Sequence, residues 1–192
     1  MNLPNALTIG RLMLAPVVVV LIVADAGGSM VAAALFVLLA ATDTVDGHLA
    51  RSRDDVTRFG TLADPVADKL LVLPVLFALV ALDRLAAWVA IVILVREIAV
   101  SLLRFVARRR GTIIAASPFG KLKMGSQVGT VTILIAVADP GAAWVLALVY
   151  VTVGLTVISG VDYYLNYRRA ERRPVRRARP TPVEATSHRP LR

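Results

Sequence analysis

The stretch from Asp43 to Asp68 reads DTVDGHLARSRDDVTRFGTLADPVAD and joins two long apolar runs. Asp43 and Asp46 stand three residues apart near the end of the first run. Asp64 and Asp68 stand four residues apart near the start of the second run. Residues with these spacings share one face of a helix. An antiparallel helical hairpin therefore brings all four carboxylates to one depth.

Apolar residues dominate the chain beyond this stretch. Of the 192 residues, 57% are hydrophobic and 18% are charged, and the mean hydropathy is +0.72. A soluble domain of this size has too little interior to bury so much apolar surface. The composition predicts an all-α integral membrane protein surrounded by a lipid bilayer.

The apolar segments predict six transmembrane helices. Each segment is long enough to cross roughly 30 Å of hydrocarbon at about 1.5 Å per residue. The predicted bounds are 5–24, 30–50, 61–82, 85–109, 121–138 and 142–166. A competing interpretation of the first segment is a cleaved signal peptide, because Arg11 precedes an apolar run that ends at Ala24-Asp25-Ala26.

Positive charge is distributed unevenly among the connecting segments. The connectors 25–29 and 139–141 contain no lysine or arginine, and the turn near residue 83 contains only Arg84. The other connectors and the C-terminal end carry many basic residues. Because basic loops stay on the cytoplasmic side, both termini and the aspartate-rich loop are predicted to face the cytoplasm. In a bacterium the location is the cytoplasmic membrane.

The net charge of +9 lies mainly at the C-terminal end. Residues 168–192 hold nine arginines and two glutamates, whereas residues 1–167 hold thirteen basic and eleven acidic groups. This balance does not support a nucleic-acid-binding body. We expect a transmembrane catalytic domain at 1–167 and a basic, disordered cytoplasmic tail at 168–192. The tail is either solvated or attached to anionic lipid headgroups.

The residue types present restrict the chemistry of any site. The chain has no cysteine and only two histidines, His48 and His188. Disulfides, thiolate zinc sites and cysteine nucleophiles are therefore excluded. Four carboxylates in a low-dielectric site repel one another unless they are protonated or bind cations. Such an oxygen-only set suits one or two Mg²⁺ or Mn²⁺ ions, and the alternative is four carboxylates at the water interface.

The spacing of the aspartates resembles the CDP-alcohol phosphatidyltransferase signature, D-x2-D-G-x2-A-R-x8-G-x3-D-x3-D. All eight fixed positions match, and they are Asp43, Asp46, Gly47, Ala50, Arg51, Gly60, Asp64 and Asp68. The resemblance implies six transmembrane helices, a homodimer and an active site that faces the cytoplasm. It also implies a nucleotide-linked lipid donor, two bound metal ions and release of CMP.

The resemblance also implies roles for the matching residues. The four aspartates would hold the metal ions, and Asp68 would in addition be the general base on the acceptor hydroxyl. The cytidine diphosphate pocket would be shaped by Gly47, Ala50, Arg51 and Gly60. Near the N-terminus, Asn5 and Thr8 either line the same pocket or anchor the first helix at the interface.

A second polar group is predicted on the later helices. Glu97, Ser101 and Arg104 are spaced by four and three residues and share a helix face. Lys121 and Lys123 open the next helix near the same cytoplasmic level. Arg104, Lys121 and Lys123 are predicted to form a cationic pocket for the phosphate of a phosphorylated alcohol. Ser101 belongs to the same predicted pocket. The alternative is a set of topology-determining charges with a structural pair between Glu97 and an arginine.

The similarity extends from about residue 2 to residue 165 and resembles the phosphatidylglycerophosphate synthase branch of the family. It is carried by 2–11, 59–69, 96–104 and 120–127. The resemblance implies CDP-diacylglycerol as the donor and sn-glycerol 3-phosphate as the acceptor. Phosphatidylglycerol or an inositol phosphate are alternative acceptors. A cation transporter and a membrane adaptor that acts through the tail are alternatives of other classes.

Overall fold

The computed structural model describes the backbone of residues 3–52, 71–110 and 118–171, which form six α-helices and no strand. Side chains are described for residues 10, 13–42, 71–110 and 119–171. The helices are α1 (Leu3–Ala24), α2 (Met30–Ser52), α3 (described over Leu71–Ala81), α4 (Ala87–Arg109), α5 (Pro118–Ala136) and α6 (Ala143–Glu171). The all-helical prediction is confirmed for these residues.

The helix bounds follow the sequence prediction closely except at the ends of α5 and α6. Helix α5 begins at Pro118, three residues before the predicted start. Helix α6 continues to Glu171 rather than ending at residue 166. Arg110 donates hydrogen bonds to Glu171 and to Tyr167, so contact with α4 supports this last turn. The first residues of the predicted tail are therefore helical, and 172–192 lie outside the described residues.

The helices pack around one apolar core. Helix α1 packs on α2, α2 on α5, α5 on α6 and α6 on α4. The core includes the almost fully buried side chains of Val18, Phe36, Val75, Leu79 and Val145. Alanines such as Ala32 and Ala33 on α2 are also buried there. Small residues at these contacts allow helix backbones to approach closely.

Three turns at one end of the helices converge on Arg84. This side chain is buried, with 7% of its surface exposed. Its Nε donates a hydrogen bond to the Leu134 carbonyl at 3.0 Å, and its two terminal nitrogens donate to the carbonyls of Ala26 and Val137. Arg84 is the only arginine in the connectors predicted to lie outside the cytoplasm. Its side chain joins the α1–α2, α3–α4 and α5–α6 connections.

The α3–α4 turn has a backbone geometry that presents Arg84 to these carbonyls. Asp83 adopts a left-handed conformation with φ 56°, and its N–H bonds to the Val80 carbonyl at 3.1 Å. The Arg84 N–H bonds to the Leu79 carbonyl at 2.9 Å. This pair of bonds is the Schellman motif, which satisfies the last carbonyls of a helix. The motif that ends helix α3 therefore also positions Arg84 beside the carbonyls of the other two turns.

The outer surfaces of several helices are apolar. Met13, Val31, Val95, Leu102 and Val151 are each more than half exposed. Among the described helices, α6 alone is long and apolar enough to count as a membrane span by length and composition. Shorter apolar segments occur in α1, α2 and α3. Six transmembrane helices therefore stay a prediction.

Candidate active site

The residues predicted to form the catalytic centre lie mainly at the edge of the described structure. Asp43 and Asp46, with Gly47, Ala50 and Arg51, belong to the last half of α2. Asn5 and Thr8 belong to the first turns of α1. Gly60, Asp64 and Asp68 lie outside the described residues. Among side chains that the structure describes, no group of three or more carboxylates or histidines could hold a metal ion.

The packing of α2 against α5 relates the α2 aspartates to the predicted cationic pocket. The two helices meet at the hydrogen bond from the Ser29 N–H to the Ile135 carbonyl, 2.8 Å long. Asp43 follows Ser29 by fourteen residues, and Lys121 precedes Ile135 by fourteen residues. At 1.5 Å per residue, each position lies about 21 Å from that bond along its helix. The α2 backbone at Asp43 and the α5 backbone at Lys121 are therefore at about the same level.

A partly buried ion-pair network joins α4, α5 and α6 near this level. The Glu97 carboxylate accepts hydrogen bonds from Lys123 and, through the same oxygen, from Arg96 at 3.1 Å. Arg96 also donates to the Ser159 hydroxyl at 2.5 Å. Lys123 is buried, with 6% of its surface exposed. A buried ammonium group requires such a counter-charge, because its desolvation is costly.

Ser101 and Arg104 continue the face of α4 that begins at Glu97. Ser101 lies one turn beyond Glu97 and is half-buried. Arg104 lies another turn away, is exposed, and stacks over the Tyr163 ring at 5.7 Å. Lys121 on α5 is also exposed. The cationic group predicted from the sequence thus divides into two accessible cations, Arg104 and Lys121, and one buried cation, Lys123.

A pair between Glu97 and an arginine was the alternative interpretation of these charges from the sequence. The contacts of Lys123 with Glu97 and of Ser159 with Arg96 were not predicted. Arg96 lies about 100° from Glu97 on an ideal helix, and its terminal nitrogen turns back to the Glu97 carboxylate. Ser159 is on α6, 63 residues away along the chain. The available signal was the recurrence of hydroxyl residues along α6, where Thr152, Thr156 and Ser159 are all buried.

The interior beside this network contains further polar groups. The hydroxyls of Thr130 and Thr152 are 2.8 Å apart and connect α5 with α6. Such interhelical bonds are one way in which helices associate in an apolar environment. Arg96, Lys123 and Glu97 together carry a net charge of +1. The exposed Arg104 and Lys121 add to it, so this end of α4 and α5 favours an anion.

Comparison with known proteins identifies the family. Residues 1–158 match the family model of the CDP-alcohol phosphatidyltransferases. The chain is 38% identical over 183 residues to the Bacillus subtilis CDP-diacylglycerol–glycerol-3-phosphate 3-phosphatidyltransferase, covering 85% of this chain and 93% of the relative. A probable phosphatidylglycerophosphate synthase of Mycobacterium tuberculosis is 38% identical over 167 residues. The alignment covers 84% of this chain and 79% of the relative. The Rickettsia typhi CDP-diacylglycerol–glycerol-3-phosphate 3-phosphatidyltransferase is 36% identical over 169 residues. The alignment covers 85% of this chain and 95% of the relative.

The chain belongs to the CDP-alcohol phosphatidyltransferase family. The resemblance inferred from the eight signature positions is confirmed, and all eight lie within the matched range. It is therefore a transferase of phospholipid biosynthesis, in a family that is membrane-associated and generally dependent on a metal.

Proposed function

We propose that this protein transfers the phosphatidyl group of CDP-diacylglycerol to sn-glycerol 3-phosphate. An acceptor hydroxyl oxygen forms a bond to the phosphorus that bears diacylglycerol, and the bond from that phosphorus to CMP breaks. The products are phosphatidylglycerol phosphate and CMP. The supporting observation is the alignment of relatives that carry this activity in their names over 84–85% of the chain.

The donor set of the signature suits a hard divalent cation. Asp43, Asp46, Asp64 and Asp68 provide only carboxylate oxygens, which Mg²⁺ and Mn²⁺ prefer. We assign these four side chains to two such ions. The bound ions would offset the negative charge of the diphosphate and of the developing transition state. Without them, four neighbouring carboxylates would repel an anionic donor.

The chain's own groups bind the donor and remove a proton. Asp68 accepts the proton of the attacking hydroxyl, which requires it to lie within hydrogen-bonding distance of that oxygen. Gly47, Ala50 and Gly60 have little or no side chain, so the diphosphate can approach the backbone closely. Arg51, together with Asn5 and Thr8, supplies hydrogen-bond donors to the cytidine diphosphate.

The acceptor phosphate is assigned to the cationic end of α4 and α5. Arg104 and Lys121 are exposed and bind the phosphate directly in this proposal. The Ser101 hydroxyl, one turn before Arg104, donates a hydrogen bond to the same phosphate in this proposal. Lys123 contributes its charge from the interior, where the Glu97 carboxylate holds its side chain. The level shared by Lys121 and the Asp43 backbone supports this arrangement, because acceptor and donor must meet.

The protein is proposed to lie in the cytoplasmic membrane as a homodimer. Each chain crosses the membrane with six helices and has both termini on the cytoplasmic side. The apolar outer surfaces of α1, α2, α4 and α6 support a lipid environment. The basic residues near the predicted cytoplasmic ends of α4 and α6 support the orientation.

The decisive experiment is an assay of CMP release by the purified full-length protein with CDP-diacylglycerol and Mg²⁺. We expect release that depends on glycerol 3-phosphate and a lipid product that carries an additional phosphate. Release that requires phosphatidylglycerol or an inositol phosphate instead would reassign the acceptor and keep the catalytic aspartates. Ion flux in proteoliposomes without lipid turnover would contradict this proposal and favour a cation transporter.

A further inference from the structure

Four exposed arginines form a belt at one end of α4 and α6. Arg108 and Arg109 lie in the last turn of α4, and Arg168 and Arg169 lie in the last turns of α6. All four side chains are exposed. The two helices pack side by side, and Arg110, the C-terminal cap of α4, bonds to Glu171 on α6, which holds these ends at one level. We name these four residues the arginine belt.

The nearby acidic groups have other partners. Glu171 accepts hydrogen bonds from Arg110 and from the Tyr167 hydroxyl. Asp162 accepts a hydrogen bond from the Asn166 amide at 3.2 Å. Among the residues that the structure describes, no carboxylate lies within ion-pair distance of the belt arginines. The belt therefore presents a concentrated positive charge to its surroundings.

Aromatic rings lie directly below two of the belt arginines. The Arg109 guanidinium lies 4.5 Å from the centre of the Phe105 ring, and the Arg168 guanidinium lies 5.9 Å from the centre of the Tyr164 ring. Both rings are about half exposed. Aromatic rings hold arginine side chains by cation–π attraction and are enriched where membranes meet water. The guanidinium groups of Arg109 and Arg168 thus lie over these rings.

The surface becomes apolar immediately beyond the rings. Leu102 on α4 and Val161 on α6 are each more than half exposed, and each precedes the ring on its helix by three residues. On α4, Leu102 is followed by Phe105 and then by Arg109. On α6, Val161 is followed in the same way by Tyr164 and then by Arg168. A nucleic acid or an acidic soluble protein would match the arginines but not the apolar surface below them. A phospholipid matches both, since its acyl chains and anionic headgroup have the same order.

We propose that the arginine belt is a binding surface for the headgroups of anionic phospholipids. The guanidinium groups bind headgroup phosphates through paired hydrogen bonds, and the acyl chains cover Leu102 and Val161. The belt contains none of the residues assigned to the acceptor phosphate, although Arg104 lies one turn before Arg108 on α4. It requires only that the protein lies in a membrane, so it does not depend on which alcohol is the acceptor.

The test measures lipid selectivity around the full-length protein in phosphatidylcholine vesicles. Spin-labelled phosphatidylglycerol and spin-labelled phosphatidylcholine report the relative association constant of each lipid with the protein. We expect the wild-type protein to prefer phosphatidylglycerol and the variant R108Q/R109Q/R168Q/R169Q to lose about tenfold or more of that preference. The matched control R176Q/R177Q/R179Q/R189Q removes the same charge from the predicted tail and is expected to retain the preference.

The outcomes separate a defined surface from a general effect of charge. Equal losses in the belt and tail variants would overturn the proposal, because net charge alone would then explain the selectivity. Absence of any preference in the wild-type protein, with binding of a short oligonucleotide through the belt, would replace the lipid by nucleic acid. Thermal unfolding checks that the four-residue variant is folded. If it is not, the pair variant R108Q/R168Q is expected to show a smaller loss of the same sign.

Discussion

Lys121 and Lys123 are two residues apart on α5 but lie in different surroundings. Lys121 is exposed, whereas Lys123 is buried and bonded to Glu97. We expect Lys121→Gln to raise the KM for glycerol 3-phosphate about tenfold, the effect of one lost charge-assisted hydrogen bond, without lowering thermal stability. We expect Lys123→Gln to lower the free energy of unfolding by about 1–3 kcal/mol, because Glu97 loses its buried partner.

Steady-state kinetics and thermal unfolding of the two variants in detergent check this difference. The KM for CDP-diacylglycerol is the internal control and is expected to stay at the wild-type value in Lys121→Gln. Loss of stability in Lys121→Gln with an unchanged KM for glycerol 3-phosphate would contradict the assignment of Lys121 to the acceptor phosphate.

Asp68 is the residue on which the proposed chemistry depends most. We expect Asp68→Asn to lower turnover by about 10²–10⁴-fold, because the amide cannot accept the proton of the acceptor hydroxyl. The matched control is Asp25→Asn in the exposed α1–α2 turn, which should retain full activity. Turnover is measured as CMP release, and circular dichroism verifies the fold of both variants. Wild-type turnover in a folded Asp68→Asn variant would rule out the proposed role.

At the scale of helices, Arg84 determines how three connections are held together. Arg84→Met retains much of the side-chain volume but removes the donors to the carbonyls of Ala26, Leu134 and Val137. We expect a loss of about 3 kcal/mol in the free energy of unfolding, the cost of leaving buried carbonyls without partners. Turnover per folded molecule should not change, because α2 carries Asp43 and Asp46 towards its opposite end.

Equilibrium unfolding of Arg84→Met in detergent measures this loss, with Arg189→Met in the predicted tail as the matched control. The control is expected to unfold like the wild-type protein. An Arg84→Met variant with wild-type stability would mean that water replaces the guanidinium at these carbonyls.

The sequence predicted the helices better than the contacts between them. Apolar runs bounded by glycine, proline and aspartate predicted α2 and α4 to within two residues. The end of α6 was missed because Arg110, 61 residues away, supports its last turn. Arg84 was noted only as the single basic residue of its connector, since local sequence contains no sign that three distant turns meet around it.

The candidate site shows the same division between local and long-range information. Fixed spacing within one segment predicted that the aspartates share helix faces in pairs. The resemblance of the eight signature positions, and not periodicity, indicated the family. The burial of Lys123 against Glu97 depends on how α5 packs beside α4, which no spacing within either helix specifies. The network with Arg96 and Ser159 likewise required the position of α6. The signature in the sequence therefore identified the family, and packing identified which of the described cations are accessible.

For the whole molecule, the orientation in the membrane is testable because the chain has no cysteine. Each introduced cysteine is then the only site for a thiol reagent. We expect a membrane-impermeant maleimide to label Gly27→Cys and Ala138→Cys in intact cells, because both residues are exposed in connections that carry no positive charge. Ser117→Cys and Ser187→Cys should react only after the membrane is opened, since arginines and lysines flank these positions and favour the cytoplasmic side.

The four cysteine positions also test the number of spans. The first pair is separated by four predicted crossings, so both members must lie on the same side of the membrane. The position at 117 lies between α4 and α5 and must lie on the opposite side to Ala138. Labelling of Gly27→Cys and Ala138→Cys from opposite sides would require an odd number of crossings between them. That result would remove one of the six spans and separate the acceptor cations on α4 and α5 from the aspartates on α2.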